Sequence, residues 1–210
     1  MKKDSDFLTG KRRRVAVLGS TGSVGKQAIE VIRSLGFGLD AVCAGSDEKR
    51  LEEQIREFSP RFAALADEEA AARLRLAVRD TDTKVLSGEE GVCELAFLSD
   101  ADVVLNSVMG SRGIRPTVAA ISSGKDVAMA NKEPVVAAGE IILRMAKEKN
   151  VNVIPVDSEH SAIFQCLSGG FNSHRYISRL ILTASGGPFC GKKRSQLENV
   201  TPAQATDHPV

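Results

Sequence analysis

Apolar positions along the 210-residue chain switch between two periods. Short runs rich in Val, Ala and Leu alternate with stretches where apolar residues recur every three or four positions, the marks of buried strands and amphipathic helices. Arg14–Leu18 reads as a strand, and Val24, Ala28, Val31, Ile32 and Leu35 place a helix over Val24–Leu35. Strand Leu39–Ala44 follows, then helix Glu48–Phe58, stopped ahead of Pro60. A weak strand Phe62–Ala66 leads into a helix from Asp67 to about Val78, and strand Lys84–Leu86 into helix Glu89–Leu98. Strand Asp102–Leu105 opens into the loop Asn106–Gly113, followed by helix Arg115–Ser123, strand Asp126–Ala130, helix Pro134–Lys149 and strand Val151–Val156. Such alternation implies right-handed crossovers and an α/β, doubly wound, mostly parallel sheet.

The rhythm breaks near Asp157. A helix over Glu159–Leu167, a polar break over Ser168–Ser173 and a longer strand over Tyr176–Thr183 precede a tail rich in Gly, Pro and polar residues. We therefore read a polar flank (1–13), a parallel-sheet domain (14–155) and the truncated start of an α+β domain (156–210).

Composition narrows the function classes. Lys and Arg total 28 against 27 Asp and Glu, a formal charge of +1, which argues against broad electrostatic binding to nucleic acid or to an anionic membrane. No apolar run approaches the roughly 20 residues of a membrane helix, and no apolar segment of a signal peptide follows the Lys-rich start. Cys43, Cys93, Cys166 and Cys190 lie far apart without a CxxC pair, as reduced thiols of a cytoplasmic protein would. The basic runs Lys11–Arg14 and Lys192–Arg194 read as solvated flanks, and His160 as a packed or capping residue.

Candidate chemistry sits at strand ends. Gly19-Ser-Thr-Gly22-Ser-Val-Gly25 lies between the first strand and the first helix. There glycines permit a tight turn, and free helix amides can hold a pyrophosphate, so the loop predicts dinucleotide binding on a Rossmann-like domain. After the second strand, Asp47 would suit the ribose hydroxyl of NAD, whereas Ser46, Lys49 and Arg50 would suit a 2′-phosphate; the residues leave both open. Asn131-Lys-Glu-Pro134 and Asp157-Ser-Glu159 close later strands. Each reads locally as a helix start, although Asp157 and Glu159 would also converge on a hard cation if the backbone stayed extended. Thr183–Phe189 suits an anion-binding nest or a simple turn.

Taken in order, GSTGSVG, ANKE, PVDSEHSAIFQ and SGGPF make the chain resemble 1-deoxy-D-xylulose 5-phosphate reductoisomerases from about Arg14 to Val210. The resemblance implies NADPH and Mg²⁺ or Mn²⁺ as cofactors and a small phosphorylated sugar as substrate, rearranged and reduced to 2-C-methyl-D-erythritol 4-phosphate. It implies cofactor contacts at Gly19, Thr21, Gly22, Ser23, Val24, Gly25, Gly45, Ser46, Asp47, Asn131 and Glu133. Substrate would meet Lys132, Ser158, Ser185 and His208, and metal would meet Asp157 and Glu159; Lys132, Asp157 and Glu159 are the catalytic candidates. Where the family often carries a basic residue and Asn after the glycine of the second strand, this chain has Ser46 and Asp47, which moves the expected 2′-phosphate cation to Lys49 or Arg50. The family's third metal-binding Glu and its C-terminal helical domain have no counterpart here. The 210 residues alone are therefore expected to bind NADPH weakly, to turn over little, and to lack the homodimer contacts of the full-length family. The competing expectation is a non-catalytic NADP(H)-binding module.

Overall fold

A computed structural model describes residues 13–168, 177–181 and 187–207. The chain divides into two compact units, Met1–Asp157 and Ser158–Val210.

The first unit carries seven strands: β1 (Arg14–Leu18), β2 (Gly38–Ala44), β3 (Phe62–Leu65), β4 (Lys84–Ser87), β5 (Val103–Asn106), β6 (Asp126–Met129) and β7 (Val153–Pro155). All adjacent pairs are parallel, in the order β4-β3-β2-β1-β5-β6-β7. The chain steps outward from β1 to β4 through α1 (Ser23–Leu35), α2 (Glu48–Phe58) and α3 (Glu68–Ala77). Helix α4 (Gly88–Leu98) then returns across β3, β2 and β1 to deliver β5. Helices α5 (Ile114–Ser122) and α6 (Glu133–Lys149) complete the return half. The order therefore reverses between β1 and β5, and a crevice at such a switch point is where open sheets bind ligands.

Side-chain alternation on the strands separates two apolar cores. Ala16, Leu18, Ala41 and Cys43 join the α4–α6 side, while Val17, Leu39, Val42 and Ala44 join the α1–α3 side. Among the described residues, no helix is long and apolar enough to cross a membrane.

Three expectations change. On α1 the buried stripe is Gly25, Ile29 and Ile32, and Val31 and Leu35 are exposed. Helix α6 is broken at Ala138 (φ −137°, ψ 20°), beside Gly139, where a missing side chain lets the backbone bend. Strand β7 starts late because Asn150 takes the left-handed conformation and the Val151 N–H bonds back to the Ala146 carbonyl, so Val151 ends the helix.

In the second unit, α7 (Ser158–Ser168) is the one long helix among the described residues, and α8 (Pro202–Thr206) is a short one opened by the Thr201–Gln204 capping box. Residues 177–181 belong to the expected strand over Tyr176–Thr183 but form none, and Leu180 and Ile181 are exposed. A strand needs a ladder partner, and the described residues of this unit supply none.

Candidate functional site: a dinucleotide cleft at the switch point

β1 ends at Leu18, and Gly19 turns the chain with φ +83°. The Gly19 and Ser20 N–H groups both donate to the Cys43 carbonyl at 2.9 Å, tying the loop to the end of β2. The Ser107 hydroxyl donates to the Leu18 carbonyl at 2.7 Å and ties it to β5. Helix α1 has no side-chain cap and no acid in its first turn. Its first helical bond runs from the Lys26 N–H to the Gly22 carbonyl at 2.9 Å, so the preceding amides face out from a positive helix end.

Glycine is required where the loop folds onto the helix. A Cβ on Gly25 would come within 2.1 Å of the Gly19 carbonyl oxygen, and one on Gly19 within 2.7 Å of Ser107 Oγ. The resulting cradle lets a ligand approach backbone rather than side chains.

This loop forms one wall of a cavity of about 390 Å³, and Gly19, Thr21, Gly22, Ser23 and Val24 all line it. Gly45 and Asn131 line it too, so seven of the expected cofactor positions meet in one cleft. Gly25 lies buried beneath the loop and supports it. Asn131 brings a feature that sequence alone does not show: its Nδ2 is buried and lacks a hydrogen-bond partner among the described residues. A buried amide donor left unsatisfied costs roughly 1–3 kcal/mol, which a ligand acceptor would recover.

Other expected residues stand outside the cavity lining. Asp47 caps α2, its carboxylate accepting from the Arg50 N–H at 3.2 Å with the Arg50 guanidinium 3.7 Å away. Ser46 is exposed next to it. Neither Lys49 nor Arg50 is part of the lining, whereas Arg112 and Arg115 are. Their guanidiniums meet Glu89 at 3.4 Å and Glu90 at 2.6 Å. The sequence offered a signal for this wall, the glycine-broken loop after β5, but no role for it. Asn106 shapes that loop by donating from Nδ2 to the Gly113 carbonyl (2.9 Å) and the Thr117 hydroxyl (2.8 Å), and by accepting from the Val108 N–H (3.0 Å).

Two thiols also line the cleft. Burial pushes Cys43 up to about 12, and burial raises Cys93 as well, opposed by the Arg115 charge. Both are therefore thiols at neutral pH rather than nucleophilic thiolates.

At the ends of β6 and β7 the exposed Lys132 ammonium lies 3.8 Å from an oxygen of Asp157. Glu133 is exposed in the first turn of α6. In the second unit the Ser158 hydroxyl donates to Glu159 Oε2 at 2.7 Å. Among the described residues no three His, Cys, Asp or Glu side chains gather as a metal cluster. Ser185 and His208 lie outside the described residues.

Residues 15–139 match the 1-deoxy-D-xylulose 5-phosphate reductoisomerase family, and residues 153–210 match the C-terminal domain of that reductoisomerase. The chain belongs to the 1-deoxy-D-xylulose 5-phosphate reductoisomerase family. It is 49% identical over 198 residues to the Lachnospira eligens reductoisomerase, covering 94% of this chain and 52% of that one. The Thermodesulfovibrio yellowstonii relative is 47% identical over 199 residues, covering 94% of this chain and 51% of its own. The chain thus spans about half the length of the curated relatives it matches. The Zymomonas mobilis reductoisomerase in complex with NADPH superposes with a TM-score of 0.82 at 35% identity, over 93% of this chain and 52% of that one. A reductoisomerase in complex with NADPH, fosmidomycin and magnesium gives 0.78 at 34% identity, over 94% and 51%.

Proposed function

We propose that the chain carries the NADPH-binding part, and a share of the metal- and substrate-binding part, of a reductoisomerase that converts 1-deoxy-D-xylulose 5-phosphate to 2-C-methyl-D-erythritol 4-phosphate. The observation that carries the reading is the switch-point cavity, lined both by the uncapped start of α1 and by Asn131, whose buried Nδ2 has no hydrogen-bond partner among the described residues. The α1 amides would take the pyrophosphate, with the Thr21 and Ser23 hydroxyls beside them, and Asn131 would donate to a polar group farther along the dinucleotide. The Zymomonas mobilis relative's NADPH complex supports the choice of dinucleotide. NADPH, when bound, supplies the hydride.

Asp157 and Glu159 offer hard oxygen donors two positions apart in the chain, and no thiol or imidazole cluster competes with them among the described residues. That donor set suits Mg²⁺ or Mn²⁺ better than Zn²⁺. Such a cation would hold two substrate oxygens and offset negative charge while the carbon skeleton rearranges. Lys132 would bring a cation to the substrate from the start of α6, and Ser158, Ser185 and His208 are the other proposed substrate contacts. Glu133, Ser46 and Asp47 are proposed at the cofactor's periphery. A cytoplasmic location and the absence of nucleic-acid and membrane partners belong to the same reading, as does homodimerisation for the full-length family.

The test is a fluorescence titration of the chain with NADPH and NADH, followed by NADPH oxidation with 1-deoxy-D-xylulose 5-phosphate and Mn²⁺. Saturable NADPH binding is expected, tighter than that of NADH. Binding of neither dinucleotide would overturn the reading. Substrate-dependent oxidation separates a reductoisomerase from a non-catalytic NADP(H)-binding module.

A further inference from the structure

Helix α2 contributes a buried polar side chain that the cofactor contacts leave unexplained. Gln54 is 6% exposed and belongs to the buried face of α2 that carries Leu51 and Ile55. It grips a single residue of the glycine loop twice. The Ser20 hydroxyl donates to Gln54 Oε1 at 2.6 Å, and Gln54 Nε2 donates to the Ser20 carbonyl at 3.3 Å. Ser20 is itself fully buried, and its N–H donates to Cys43. All three polar groups of Ser20 are therefore engaged within the protein.

We infer that Gln54 is a positioning residue for the cofactor: by fixing the Ser20–Thr21 peptide it aims the Thr21 N–H at the dinucleotide's pyrophosphate. The inference rests on the dinucleotide reading above. Its physical core is peptide planarity. The carbonyl and the N–H of one trans peptide point in opposite directions, so a carbonyl held toward α2 turns the Thr21 N–H away from α2. Thr21 lines the cavity, and its N–H has no acceptor among the described residues. The peptide lies between Gly19 and Gly22, whose freedom at φ would otherwise let it turn over. Gln54 also satisfies the buried Ser20 hydroxyl and carbonyl, so replacing it costs stability as well, and its role in binding is read from the affinity of the folded protein.

The test compares ligand affinities of Gln54→Leu and Gln54→Glu with the wild-type chain, each at a temperature well below its melting point. Gln54→Leu is expected to raise the NADPH dissociation constant about tenfold, the loss of one hydrogen bond to a charged group. Its affinity for 2′-AMP, which has no pyrophosphate, should change less than about twofold. A merely structural role would lower the melting temperature and leave the NADPH constant of the folded protein unchanged.

Gln54→Glu provides a second readout if Gln54→Leu does not fold. A protonated carboxyl reproduces one donor and one acceptor, whereas a carboxylate repels the Ser20 carbonyl. The ratio of variant to wild-type NADP⁺ affinity should fall as pH rises between about 5 and 9, a comparison that cancels the titration of the ligand's own 2′-phosphate. An NADPH constant unchanged in Gln54→Leu, equal losses for NADPH and 2′-AMP, or a Gln54→Glu to wild-type affinity ratio that stays constant with pH would each overturn the assignment. If the wild-type chain binds NADPH and the variants bind it as well, the dinucleotide reading survives and the role of Gln54 does not. If the wild-type chain binds neither dinucleotide, both fall.

Discussion

Asn131 shows how one side chain can separate binding from stability. The residue lines the cavity and its buried Nδ2 has no partner among the described residues, so truncation removes none of their hydrogen bonds from the ligand-free protein. Asn131→Ala is therefore expected to leave the melting temperature unchanged or slightly raised, and to weaken NADPH about tenfold. Parallel thermal melts and NADPH titrations check both halves. A large fall in melting temperature would mean that the amide is satisfied in the free protein. The neighbouring strand end gives the contrast. Asn106 also closes a strand, but its amide is satisfied three times over within the loop it shapes, which makes it structural.

At the level of elements, Asp47 sits on the boundary between two jobs. After the second strand of a dinucleotide fold, an acid suggests a ribose contact, yet this carboxylate caps α2 through the Arg50 N–H and faces the Arg50 side chain. Asp47→Ala should cost about 1 kcal/mol of stability, the ordinary worth of an N-cap. If capping is its whole role, the ratio of NADPH to NADH affinity stays as in the wild type; a shift toward NADPH would restore Asp47 as a discriminator. Competitive titration with both dinucleotides, alongside urea unfolding, separates the two.

For the whole molecule, pH dependence follows from how the helix layer is tied together. Arg33 pairs with Glu57 across α1 and α2, Arg73 with Glu48 across α2 and α3, and Arg56 with Asp80 beyond α3. Each guanidinium holds its carboxyl below the usual carboxylate range by direct hydrogen bonding. A carboxylate depressed in the folded state binds fewer protons there than in the unfolded chain. These pairs therefore stabilise above the unfolded range, and their contribution is lost as pH falls below about 4. Cys43 acts at the opposite limit. Burial raises it to about 12, so the folded protein keeps a proton that the unfolded chain releases near about 8.5, and stability falls as pH rises through that interval. Melting temperatures across pH should bend down at both ends. Arg33→Gln should soften the acid limb, and Cys43→Ala should remove its share of the alkaline one.

The sequence by itself determined the strand–helix alternation, the parallel doubly wound class and the glycine loop, because these depend on side-chain periodicity and on backbone freedom within a few residues. It also determined the family, through the order of four short motifs. The tertiary structure decided which of those residues meet. Whether Asn131 is satisfied depends on packing against residues from distant parts of the chain, and whether Asp47 caps a helix or faces a cavity depends on a local cap geometry. Gln54 was invisible in the sequence, one polar residue in a helix of polar residues, until folding buried it against Ser20, 34 positions earlier. Periodicity records which face of an element is wet; only the packed fold shows which buried polar groups have found one another, and which are left waiting for a ligand.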